Sequence, residues 1–154
     1  MNKSELSIGD WVKVHKLVYD NDREDFDNGI HQVRHLRDDN LDVYAVEDLS
    51  YSEVEPIMIT KSVLEKIGFT EKESNLFEFK TDSLSIVYST MLGIAYIIKA
   101  KDKIAESDAS MYEDGYVIVF DLSAKILYLH QLQHLLRIIG KDINGIDLTG
   151  IYEF

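Results

Sequence analysis

The chain has no cysteine. Disulfides, thiolate zinc sites, iron–sulfur clusters and a cysteine nucleophile are excluded with it. Proline is nearly absent: Pro56 stands alone, and it confines the stretch from Tyr51 to Ile59 to a sheet edge or an irregular strand. Bases are scarce, 16 against 28 acids, for a formal net charge of −12. That shortage argues against direct nucleic-acid binding through neutralised phosphates and against docking on an anionic membrane surface. Long apolar runs are missing as well. The longest, MLGIAYII at 91–98, has eight residues, too few to span a bilayer as a helix. The opening MNKSELSIGD holds no apolar signal-peptide core, so a cytoplasmic location is expected.

Hydrophobic residues make up 45% of the 154 residues. That is enough for one ordinary domain, or two very small ones sharing a core, and it excludes global disorder. An acidic surface of this kind suits solubility, basic protein partners or mimicry of nucleic-acid charge.

Along the chain, Gly9-Asp10 reads as a turn leading into a strand at 11–15, with Val12 and Val14 on one face. Residues 20–29, DNDREDFDNG, read as a solvated hairpin loop closed by Asn28-Gly29. Further strands are expected at 30–37 and 41–46. This spacing of short strands and polar turns predicts a small SH3-like β-barrel over residues 1–59. Thr60 then caps a short helix with an apolar stripe of Val63, Leu64 and Ile67, ended by Gly68. Strands are expected at 76–80, 83–89 and 93–100. A polar loop follows at 101–115, then a β-hairpin of 116–122 with 125–128 turning near Ser123-Ala124. A second helix follows, and the tail ends in a short strand. The fold class is α+β: an N-terminal SH3-like β-barrel subdomain, then a mainly antiparallel sheet with two helices over 60–154, the two packed as one unit.

Three stretches carry a resemblance. They are L-x-I-G-D-W-V from Leu6, YSEVEPIMITKSVLEKIGF from Tyr51, and ILYLHQLQHLLRIIG from Ile126. Together they resemble a family of uncharacterised Bacteroidetes phage and prophage proteins. Those proteins begin with an E-L-R-I-G-N-W-V-like segment, carry an I-x-P-I-P-L-T stretch before a helix ending in G-F, and end on a Y-V-H-Q-L-Q-N-L-like helix. This chain departs by having His134 where the family often has asparagine, and by its acidic stretch at 20–27. The resemblance implies a phage or prophage setting in the host-cell cytoplasm, and no mechanism.

The stretch YLHQLQHLLRIIG invites a metal reading, since His130 and His134 stand four apart on a helix. Gln131, however, sits where a zinc hydrolase needs its glutamate base, and glutamine takes no proton near neutral pH. Arg137, one turn on, repels a cation. At 100° per residue, Leu129, Leu132, Leu135, Leu136 and Ile139 share one face, with His130, Gln133, His134 and Arg137 opposite. The polar face is therefore read as a contact surface, either for a neighbouring strand or N-terminal barrel of the same chain, or for a partner. Leu132→Asp is expected to unfold or release this helix, and His134→Asn to leave folding nearly unchanged. Asp20, Asp22 and Glu24 alternate as in a calcium loop, but Asp25 and His31 stand where an EF-hand needs glycine and glutamate. No P-loop, G-x-G-x-x-G or G-x-S-x-G occurs. No metal, cofactor or catalytic residue is therefore expected, and the chain is read as a non-enzyme.

Trp11, Tyr44 and Tyr51 fall in the expected barrel, where an acidic aromatic groove would suit a basic or proline-containing peptide; the alternative is that they build the core. The expected function is that of a small interaction protein that binds a protein partner, with a homodimer as one form. Its partner-binding candidates are Trp11, Tyr44, Tyr51, His130, Gln133, His134 and Arg137. The alternative is an inhibitor of a host defence or nucleic-acid enzyme, acting as an acidic DNA mimic or a nucleotide-binding sponge, with Lys13, Arg34 and Arg37 as the nearby bases.

Overall fold

A computed structural model describes residues 1–20, 23–27, 29–44, 46–82, 84–100, 116–122, 125–143, 146, 148 and 151, with 16–20, 23–27, 98–100 and 116–122 given as backbone. Among the described residues the fold is α+β, with two five-stranded antiparallel sheets, a two-stranded hairpin and two α-helices. Contacts divide the chain into two units. The first joins Met1–Met58 to Tyr128–Phe154, and the second is Ile59–Leu127. The first break falls beside the boundary read from the sequence, but the C-terminal helix returns to the first unit. No helix among the described residues is long and apolar enough to cross a membrane.

In the first unit, β1 (Trp11–Val14) is flanked by β4 (Ile30–Leu36) and β7 (Val54–Pro56), with β5 (Asn40–Val43) and β6 (Val46–Ser50) beyond β4. The alternation of β1 works as expected: Val12 and Val14 are both fully buried and join Val33, Leu41, Leu49 and Val54 in one apolar cluster. The sheet is open, however, and the expected closed barrel is not formed. Its two edges, β6 and β7, each pair on one side only. Pro56 ends a three-residue β7 and has no N–H to extend a ladder, which fits the edge position expected for it. The acidic stretch also differs from expectation. Arg23–Asp27 is strand β3, paired with β2 (Lys16–Asp20) in the register Asp20 to Arg23 and Lys16 to Asp27. Asn21, Asp22 and Asn28 are outside the described residues.

In the second unit, α1 (Lys61–Lys66) begins as expected, with Thr60 Oγ1 accepting from the Val63 N–H at 3.3 Å. Strands β8 (Thr70–Glu73), β9 (Leu76–Lys80), β10 (Ser85–Ser89), β11 (Ile94–Ala100) and β12 (Tyr116–Leu122) make an antiparallel sheet in the order β12-β11-β10-β9-β8. Phe77, Ile86 and Ala95 are buried with Val63 and Leu64, and the Tyr88 hydroxyl donates to the Ile126 carbonyl at 2.7 Å. The expected hairpin of 116–122 with 125–128 is replaced. Strand β12 pairs with β11, while the Ile126 N–H donates to the Gly93 carbonyl and Tyr128 makes an isolated bridge to Met58 within the first unit. The loop at 101–115, the turn at Ser123-Ala124 and much of the tail lie outside the described residues.

Candidate functional site

Helix α2 (Leu129–Ile138) is set by its own ends. The Gln131 side chain turns back, and its Oε1 accepts from the Tyr128 N–H at 3.1 Å. At the other end, Gly140 takes φ of 75° and lets the Lys141 N–H reach the Leu136 carbonyl. Leu129, Leu132 and Leu136 are fully buried and Leu135 nearly so. This is the apolar stripe read from the sequence.

The opposite face is buried too. Gln133 is 1% exposed and His130 4%. Gln133 bonds to backbone on both sides of its amide: Oε1 accepts from the Trp11 N–H at 2.9 Å, and Nε2 donates to the Gly9 carbonyl at 3.1 Å. Gly9 has φ of 88°. That left-handed turn is what glycine permits at low cost, and it brings Asp10 under the helix. Asp10 is fully buried. Its Oδ2 accepts from the Ser7 N–H at 2.7 Å and from His134 Nε2 at 2.8 Å, and its Oδ1 accepts from Arg137 Nη1 at 2.7 Å. A carboxylate facing these donors can only accept, so His134 carries its proton on Nε2. The polar face of α2 is thus a clasp on the Gly9-Asp10 turn of the same unit. Arg137 neutralises a buried carboxylate.

A cavity of about 280 Å³ opens beside the first turn of α2. Tyr128, His130, Gln131 and His134 form one wall. Ser4 and Glu5, from a 3-10 turn at Lys3–Glu5, form another, and Met1 and Pro56 complete the lining. The Tyr128 and His130 rings lie nearly parallel, 9° apart with centroids at 5.9 Å. The His134 ring meets His130 edge-on at 6.1 Å. His130 Nδ1 finds no hydrogen-bond partner. Burial pushes the His130 pKa below its ordinary value of 6.5, so the ring is neutral near neutral pH. Among the described residues, no three histidine, aspartate or glutamate side chains come together in a way that could hold a metal ion.

The residues singled out from the sequence therefore divide. Gln133, His134 and Arg137 meet at the Asp10 clasp, and His130 and His134 share the cavity. Trp11 is 9% exposed, and its Nε1 is buried without a partner. Tyr51 is half-buried against the apolar cluster, its hydroxyl donating to the Arg37 carbonyl at 2.7 Å. Tyr44 stands out in solvent at 59% exposure. These three aromatics do not line a common exposed groove. Arg37 is engaged by the buried Asp42 through Nη1 at 3.0 Å and Nη2 at 2.7 Å. The Asp48 N–H, first, and then Arg37 and His35 hold the Asp42 carboxyl below the usual range.

Sequence reasoning missed Asp10, Ser4 and Glu5. Asp10 reads as an ordinary turn residue, and its helix partner His134 lies 124 positions away. Compared with protein-family models, with the curated proteins and with the solved structures, the chain has no match in any of the three.

Proposed function

We propose that this chain is a small, non-enzymatic interaction protein that binds a basic protein partner through its first unit. The cavity beside α2 carries the reading. Glu5 stands at its wall, no lysine or arginine is among the described residues that line it, and the ammonium of Met1, which also lines it, donates to the Tyr51 carbonyl at 3.2 Å. On a chain of net charge −12, such a surface attracts positive groups and repels anions. A nucleotide's phosphates would meet a carboxylate there instead of a base. For that reason the nucleotide-sponge alternative is not carried further.

The non-catalytic part of the reading rests on α2. Gln131 offers no proton acceptor of the needed strength, and the clasp on Asp10 occupies His134 Nε2 and Arg137 Nη1. The resemblance of its His-Gln-Leu-Gln stretch to phage and prophage proteins supports a setting in which the partner is met in the host-cell cytoplasm. An SH3-like ancestry of the open sheet belongs to the same proposal.

The test is direct binding of arrayed basic, neutral and acidic peptides to the purified chain, followed by calorimetry on the strongest. Basic peptides should bind selectively, and more weakly as salt rises. Equal binding of all three classes, or binding of nucleotides alone, contradicts the proposal.

A further inference from the structure

The structure assigns the cavity beside α2 to an arginine side chain of the partner, with Glu5 facing the guanidinium charge and the Tyr128 ring facing its plane. This inference rests on the proposed binding of a basic protein and names the group that binds.

The chemistry of the wall selects the ligand. The Glu5 carboxylate is held on its turn by the Asn2 N–H, which donates to Oε2 at 2.9 Å. Ser4 adds a hydroxyl. His130 is neutral by burial, and its Nδ1 is left without a partner. His134 gives its Nε2 proton to Asp10, which fixes the ring at the cavity wall.

The Glu5 carboxylate and the Ser4 hydroxyl offer acceptors at the cavity wall, and a guanidinium is their complement: five donors, no acceptor and a permanent positive charge. Its plane stacks on aromatic faces, and the Tyr128 ring, backed by the buried His130 ring, supplies one. An ammonium matches the charge but not the plane. A carboxylate or phosphate matches neither. The volume, about 280 Å³, lies at the small end of ligand cavities, which run to roughly 1,000 Å³. That suits one side chain better than a whole nucleotide.

The experiment is a titration of the full chain with N-acetyl-arginine methylamide, its uncharged citrulline counterpart and its lysine counterpart, read from the histidine ring resonances by NMR. The arginine compound should move the His130 and His134 signals saturably. Citrulline should bind about ten-fold more weakly, with lysine between them. Glu5→Gln, at an exposed position, should weaken the arginine compound about ten-fold while leaving the thermal melt unchanged. Equal binding of citrulline or lysine, ring signals that stay still, or an unaffected Glu5→Gln variant would overturn the assignment. If a basic peptide binds without moving these rings, partner binding stands and the cavity is not its site. If no basic peptide binds, the broader proposal falls with it.

Discussion

The two helices use their polar residues in opposite ways. In α1, Lys61, Ser62, Glu65 and Lys66 are exposed, Lys61 pairs with Glu71 at the surface, and only Val63 and Leu64 are buried. In α2, six of ten residues are buried, and His130 and Gln133 are among them. A helical wheel finds the apolar stripe correctly in both. For α2 the polar face was open to a strand of the same chain or to a partner, and Gln133 gives it to the chain itself through the Trp11 N–H and the Gly9 carbonyl. The difference lies in what stands opposite: a glycine turn with a buried aspartate makes a polar surface that polar side chains can satisfy.

Substitutions sharpen the contrast. The largest effect is expected from Leu132→Asp, which puts a charge at a fully buried position; loss of the folded first unit, seen as a missing cooperative melt by circular dichroism, is expected. Asp10→Ala comes next. It leaves Arg137 and His134 facing an emptied site and should cost about 3 kcal/mol in urea denaturation. Gln133→Ala strands the Trp11 N–H and the Gly9 carbonyl and should cost about 2 kcal/mol. Ser62→Ala on the exposed face of α1 should stay within about 0.5 kcal/mol. Equal costs for these two would erase the distinction between the helices.

The smallest effect is a pH dependence. The His130 pKa is lower in the folded chain than its ordinary value of 6.5. The unfolded chain then binds more protons between those two values, so this contribution is fully present above pH 6.5 and is lost as pH falls toward the folded value. Replacing His130 by asparagine should flatten the melting temperature over that acid window. A slope unchanged by the replacement would place its origin elsewhere.

Much of the architecture was legible because it is written locally. Thr60 capping α1, the valines of β1, the leucines of α2 and the edge position of Pro56 each follow from neighbouring residues. The misreadings have physical causes. Strand β8 is TEKE, exposed at every position, so no alternation marks it; its charges suit an edge. The strand read at 41–46 stops at the first residue of β6 and leaves the rest of it unassigned, because an irregular register between Leu41 and Val43 and a positive φ at Asp48 break the period-two pattern. The candidate site was half legible. The histidines and Gln133 drew notice by their spacing, whereas Asp10 and Glu5 did not, since their meaning depends on a helix more than a hundred residues away.

The central claim, that the polar face of α2 is spent on the chain's own Gly9-Asp10 turn, is tested most directly by a double-mutant cycle on Asp10→Asn and His134→Asn. Each single variant and the pair are measured by urea denaturation. The sequence alone expects His134→Asn to be nearly neutral. The 2.8 Å contact predicts a cost of about 1 kcal/mol for that variant, and a coupling of similar size between the two positions. A neutral His134→Asn with effects that add to within about 0.3 kcal/mol would contradict the account.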